Sequence, residues 1–132
     1  MRALLDTNAY SMLMRGHEQA YEIVRSAEEL LLSTVVVGEL LYGFRRGSRF
    51  AQNAENLRAF IGNPHTTLVE VGSVTADRYS RIAAALRAKG RPIPTNDVWI
   101  AAHTMETGAD LISADQHFEH VEGIVWVPLS LV

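Results

Sequence analysis

Arg2-Ala3-Leu4-Leu5-Asp6-Thr7-Asn8 joins a short apolar run to a polar triplet, and its reading decides the fold. The run suits a short buried strand, and Asp6-Thr7-Asn8 suits a loop or helix N-cap. Working outward, Ala9 to Arg15 reads as a short helix stopped by Gly16. Glu18 to Glu28 is a polar helix with Tyr21 and Val24 on one side. Leu30-Leu31-Leu32 is a second buried strand, and Ser33 or Thr34 caps the next helix. In that helix Val36, Leu40 and Phe44, joined by Val37 and Leu41, lie along one stripe. The β-branched run Val35 to Val37 could instead extend the strand.

The same alternation continues. Phe50 to Ile61 forms a helix closed by Gly62-Asn63-Pro64, and Thr67 to Val71 alternates as a half-buried strand does. Ser73 is the expected cap of a long helix whose Tyr79, Ile82, Ala83 and Leu86 fall at i, i+3, i+4 and i+7. Gly90 ends it, and Pro92 and Pro94 forbid its continuation. Thr95 opens a helix carrying Val98, Ala101, Ala102 and Met105, ended by Gly108. Leu111-Ile112-Ser113 is a strand, Gln116 to Val121 a short turn or helix, and Ile124 to Val127 the last strand. Strands separated by helices predict an α/β domain with a central, mainly parallel sheet of four or five short strands.

The chain has 132 residues, which suits one domain, and its 48% apolar content excludes wholesale disorder. Cysteine is absent, which excludes thiol nucleophiles and Cys-ligated zinc. Asp6 interrupts any leader-like start, and the longest apolar run, Leu30 to Phe44, contains Glu39 and is too short to span a membrane. A cytoplasmic protein is expected. The net charge of −3, taken alone, argues against a nucleic-acid partner. Its distribution argues otherwise. Arg45 to Arg91 holds nine basic residues against Glu55, Glu70 and Asp77, a net of +6, which leaves −9 to the rest of the chain. An acidic region and a basic region with different tasks are expected.

Ligands of parallel sheets sit at the carboxyl ends of the strands, and that rule singles out four acids. Asp6 follows the first strand, Asp115 follows Leu111-Ile112-Ser113 by one residue, and Asp97 lies in the first turn of its helix. Glu39 lies beside an otherwise apolar stripe of Val36, Val37, Leu40 and Leu41. Each has an ordinary alternative: Asp6 as a helix cap, Asp97 as a partner of the helix dipole, Asp115 as a turn residue, Glu39 turned to solvent. Carboxylates gathered within a few ångströms repel one another, and a hard divalent cation such as Mg²⁺ or Mn²⁺ resolves that conflict. Such a set, without a Cys or Ser nucleophile, points to phosphodiester hydrolysis.

Two other features have competing readings. Asp115-x-His117-x-x-His120, with His103, has a spacing compatible with zinc, although surface or supporting positions are the commoner outcome for such histidines. Met12-Leu13-Met14 reads as core or as an adaptable partner surface.

Taken together, the segments resemble the PIN-domain family, in particular its VapC-like toxin ribonucleases. Glu39-Leu40-Leu41-Tyr42-Gly43 is similar to the family's E-L-x-x-G helix, and Pro94 to Ala102 to its P-x-x-D-x-x-I-A-A helix. Leu111-Ile112-Ser113-Ala114-Asp115 followed by His117-Phe118 is similar to its last acidic block, and Leu4-Leu5-Asp6-Thr7-Asn8 to its first. The resemblance covers essentially the whole chain and implies one PIN-like nuclease domain over residues 1–132. It implies that Asp6, Glu39, Asp97 and Asp115 form a catalytic pocket for Mg²⁺ or Mn²⁺, with Thr7, Asn8 and Ser113 in support. It further implies endonucleolytic cleavage of RNA, tRNA or rRNA among the possible targets, by activated water, homodimerisation, and inhibition by a VapB-like antitoxin. The chain departs from the family in carrying Ala114 and Gln116 where basic residues are common, so contacts to RNA phosphates fall to Arg45, Arg46 and Arg49. The alternatives are a catalytically silent PIN-like dimer that binds without cleaving, and a phosphoacceptor domain. The latter would want paired acids after the first strand and a late lysine, whereas Asp6 stands alone and the sole lysine is Lys89.

Overall fold

The computed structural model describes residues 1–131. Five short strands form one sheet: β1 (Arg2–Leu5), β2 (Glu29–Ser33), β3 (Thr66–Val69), β4 (Asp110–Ser113) and β5 (Val125–Pro128). Their order is β3-β2-β1-β4-β5, and every pairing is parallel. Six helices flank it: α1 (Thr7–Met14), α2 (Glu18–Ser26), α3 (Thr34–Arg45), α4 (Phe50–Ile61), α5 (Ser73–Ala88) and α6 (Thr95–Thr107). A 3₁₀ turn spans Gln116–His120. No helix among the described residues is long and apolar enough to cross a membrane.

Burial explains why the central strands read as unbroken apolar runs. Ala3 to Leu5, Leu30 to Leu32 and Leu111 to Ile112 are all buried, as expected for parallel strands covered on both faces. The ambiguity at Val35 to Val37 resolves toward helix. Ser33 is extended and its hydroxyl accepts the Val35 N–H at 3.0 Å, so the strand stops and the helix starts at that hydroxyl.

Two expectations are corrected. The Thr67–Val71 segment does not alternate: β3 covers Thr66–Val69, Thr67 and Leu68 are exposed, and Val71 lies beyond the strand. β3 is an edge strand, so the rule of one face in and one face out has less to act on there. Ser73 is not the cap of α5 but its first residue. Gly72 takes the cap position, and its N–H donates to Thr75 Oγ1 at 3.0 Å. At the end of α6, Gly108 adopts φ +70°, the left-handed conformation that releases the chain into β4. Met12 is buried, whereas Met14 at the end of α1 is exposed, so the methionine stretch divides between core and surface.

Candidate active site

Strand order reverses between β1 and β4, and the crevice outside such a reversal is the preferred ligand site of open parallel sheets. Asp6 leaves the end of β1 as the N-cap of α1 and is 3% exposed. Its Oδ1 accepts the Ala9 N–H at 2.8 Å, and its Oδ2 accepts a hydrogen bond from the Ser113 hydroxyl at the end of β4. Capping and cleft-lining are therefore combined in one carboxylate. Ser113 Oγ also accepts the Asp115 N–H at 2.9 Å, so a single buried hydroxyl ties two of the acids together.

Asp97 comes from the first turn of α6, and its Oδ2 is 2.9 Å from His117 Nδ1. Asp115 caps the 3₁₀ turn: its Oδ1 accepts the His117 N–H at 2.9 Å and lies 3.0 Å from His117 Nδ1. Glu39 approaches from α3, half-buried, with both carboxylate oxygens held. Thr7 Oγ1 donates to Oε1 at 2.5 Å, and Asn96 Nδ2 donates to Oε2 at 3.2 Å. Asp6, Glu39, Asp97 and Asp115 thus line one cleft of about 440 Å³, with Thr7, Asn8, Asn96 and His117 among its walls. Ser113 stands behind them, fully buried.

The electrostatics result from that crowding. Burial pushes Asp6 up to about 6, against the pull of its bonds to Ser113 and Ala9, and the charges of Asp97 and Asp115 add to the rise. Burial also raises Asp97, with the nearby carboxylates Asp115 and Glu39 adding to it and His117 opposing it. His117 is held above the ordinary imidazole value chiefly by its hydrogen bond to Asp97, with the Asp115 charge adding to it. No lysine or arginine lines the cleft. Four clustered carboxylates with one imidazole and no lysine or arginine are a donor set that a hard divalent cation fits. Ligand atoms of Asp97, Asp115 and His117 lie within 4.8 Å of one another.

His117 and Asn96, with Pro94, Thr95 and Ile100, are cleft residues that sequence reasoning did not place there. Asn96 had a signal, its position beside Asp97 in a first turn. The zinc grouping does not assemble, and the cleft takes only His117 of the three histidines. His103 is fully buried, with Nδ1 2.8 Å from Ser33 Oγ, because six residues carry it about two-thirds of a turn around α6 from Asp97. His120 lies at the far end of the 3₁₀ turn, where its carbonyl accepts from Lys89 Nζ at 3.0 Å.

Arg45, Arg46 and Arg49 lie outside the acidic cleft. Arg45 stacks 4.1 Å from the centroid of Phe50, and Arg46 lies 5.6 Å from that of Tyr42. Much of the remaining basic segment is neutralised locally: Arg58 pairs with Glu55, Arg78 and Arg81 with Asp77, and Lys89 with Glu122.

Comparison with known proteins agrees with this architecture. The PIN-domain family profile matches residues 3–124. Ribonuclease VapC2 of Haemophilus influenzae is 28% identical over 124 residues, covering 92% of each chain. Ribonuclease VapC2 of Rickettsia felis is 24% identical over 127 residues, covering 92% of this chain and 93% of that protein. The crystal structure of VapBC2 from Rickettsia felis, bound to a DNA fragment from their promoter, shares the fold. It superposes with a TM-score of 0.85 at 21% identity, covering 98% of this chain and 100% of that one. With its acids at the switch point of a 3-2-1-4-5 parallel sheet and a family match over nearly its whole length, the chain belongs to the PIN-domain family.

Proposed function

We propose that this protein is a divalent-metal-dependent endoribonuclease, the toxin half of a VapBC-like toxin–antitoxin pair. The observation that carries the reading is the convergence of Asp6, Glu39, Asp97 and Asp115 on one cleft lined by no lysine or arginine among the described residues. The relatives named ribonuclease VapC supply the reaction class.

Asp6, Asp97 and Asp115 are the residues that would hold Mg²⁺ or Mn²⁺. A bound cation of this kind supplies Lewis-acid polarisation of the phosphoryl group and acidifies water. The chain supplies the rest. Ser113 fixes the rotamer of Asp6 and the position of Asp115 through its two hydrogen bonds. Thr7 and Asn96 hold Glu39 against the wall of the cleft, and the lone pairs left on its oxygens orient a water or take its proton. Asn8, exposed on the cleft, contacts the strand being cut.

RNA is the substrate, and its phosphates are held on the basic side formed by Arg45, Arg46 and Arg49. The partner is a VapB-like antitoxin, in keeping with the VapBC complexes among the structures that share this fold. The toxin acts as a homodimer in the cytoplasm, where its RNA is.

The deciding experiment is an RNA cleavage assay with Mn²⁺ or Mg²⁺. Wild-type protein cleaves, excess EDTA stops it, and Asp97→Asn is inactive while its circular dichroism is unchanged. Cleavage that persists in EDTA or in Asp97→Asn overturns the mechanism. RNA binding without cleavage under any added metal would instead favour a silent binding module.

A further inference from the structure

We propose that the cleft between α1 and the α3–α4 turn is a second subsite, where Arg15 and Arg49 bind a phosphodiester of single-stranded RNA away from the acids; this rests on the nuclease reading above. The cleft measures about 410 Å³, and Tyr10, Arg15, Phe44, Arg49, Asn53 and Asn56 contribute to its walls. No carboxylate among the described residues lines it. Among the described residues, neither Arg15 nor Arg49 has an acid within ion-pair distance, whereas Arg2, Arg25, Arg58, Arg78, Arg81 and Lys89 each do. The two arginines reach the cleft from different elements, Arg15 from the end of α1 and Arg49 from the start of α4.

Tyr10 adds an independent sign of an incomplete site. It is 2% exposed, it lines this cleft, and its hydroxyl has no hydrogen-bond partner among the described residues. A buried donor left unmade is costly and uncommon in a finished interior. Burial raises the phenol pKa, so the group stays protonated and can only gain by meeting an acceptor. Two guanidiniums, two carboxamides and a phenol suit an oxyanion with several acceptor oxygens, and a phosphodiester meets that description.

Continuity with the acids favours nucleic acid over an acidic polypeptide. Arg15 also lines a neighbouring cleft with Asn8 and Met12, and Asn8 in turn lines the acidic cleft. Asn8, Met12 and Arg15 run along one face of α1 at i, i+4 and i+7, so the path is about 10 Å long. A strand threaded past the acids is led along α1 to the arginines. The half-buried ring of Phe44 beside them gives an unstacked base a surface.

The test separates binding from catalysis. Fluorescence anisotropy in EDTA tracks the full chain binding a labelled, mixed-sequence, single-stranded oligoribonucleotide across a range of salt. Arg15→Ala/Arg49→Ala is expected to weaken binding roughly tenfold and to lower the salt slope by about 0.7 for each phosphate no longer neutralised. Arg15→Lys/Arg49→Lys keeps the slope while losing affinity, and Arg58→Ala, whose partner is Glu55, changes neither. Both double variants replace exposed side chains, and a thermal melt verifies that they fold. Unchanged affinity and slope in the alanine pair overturn the proposal, whatever the cleavage assay shows. Arginine-dependent binding by a protein that never cleaves with added Mn²⁺ leaves the subsite standing and removes the nuclease reading. Arginine-dependent binding of a polyglutamate peptide, with none of the RNA, assigns the cleft to an acidic polypeptide and overturns the proposal.

Discussion

Asp97 Oδ2 and His117 Nδ1 lie 2.9 Å apart, so the first turn of α6 is joined to the turn after β4 by a pair whose charge depends on pH. Asp115 shares the same nitrogen at 3.0 Å. A proton on His117 offsets the two carboxylates, and the divalent cation proposed above would compete with it for them. His117 sits above its ordinary value, so it keeps its proton to higher pH than a free imidazole and loses it only as the pH rises further. Calorimetric titration should show Mn²⁺ affinity climbing as the pH rises beyond the ordinary imidazole value of 6.5. His117→Gln should flatten the climb. An identical profile in the variant would show that the imidazole takes no part.

Asp6→Asn should abolish cleavage and make the metal-free protein more stable. The folded value of about 6 lies above the ordinary 3.8, so folding favours the protonated carboxyl. That contribution is fully present below about 4 and is lost as pH rises through 6, leaving a cost of roughly 3 kcal/mol at neutral pH. Asparagine carries no charge and escapes this cost, less what its altered bond to Ser113 gives back. Urea unfolding in EDTA should show the variant ahead by about 1–3 kcal/mol above pH 7. The gap should close as the pH falls below about 6 and vanish near 4. A constant gap across that range would mean that the charge of Asp6 is not its source.

Thr7→Val removes the hydroxyl that holds Glu39 Oε1 at 2.5 Å, with little change in side-chain volume. Supporting groups of this kind are worth about 10–100-fold in activity or metal affinity. The cleavage rate of Thr7→Val should fall by that factor while the melting temperature hardly moves. A wild-type rate would show that Glu39 needs no such orientation.

Phe118→Ala tests how far the cleft depends on the core beneath it. Phe118 is 1% exposed and comes directly after His117, in the 3₁₀ turn capped by Asp115. Emptying its site should cost about 3–5 kcal/mol in a denaturant titration. Mn²⁺ affinity should fall as well, since the turn that carries Asp115 and His117 loses its anchor.

The parallel sheet and the shared rim of Asp6 and Asp115 were legible because both obey short-range rules, whereas Glu39 and Asp97 were brought to the same pocket by the family resemblance. A run such as Leu30-Leu31-Leu32 ended by Ser33 gives a strand and a cap at once, and acids just beyond such runs open onto one rim. Edge strand β3 was harder to read, because exposure rather than alternation governs Thr67 and Leu68. His117 was hidden for a different reason. Its place beside Asp97 depends on how α6 and the 3₁₀ turn meet, 20 residues apart in sequence, and no local pattern encodes that distance. Arg15 was missed because it lies outside the basic segment and becomes the counterpart of Arg49 only when α1 packs near the α3–α4 turn.

The pairing of β1 with β4 aligns Ala3 with Asp110 and Leu5 with Ile112, and Ser113 then reaches across 107 residues to Asp6. A chain still being synthesised carries Asp6 and Glu39 long before it can gather the other two acids. The cleft therefore cannot be completed until the chain has emerged through Asp115. Synthesis interrupted anywhere before Asp115 yields a fragment with the acids unassembled. For a protein proposed to cut the RNA of its own cell, the fold itself postpones the hazard until translation has passed Asp115.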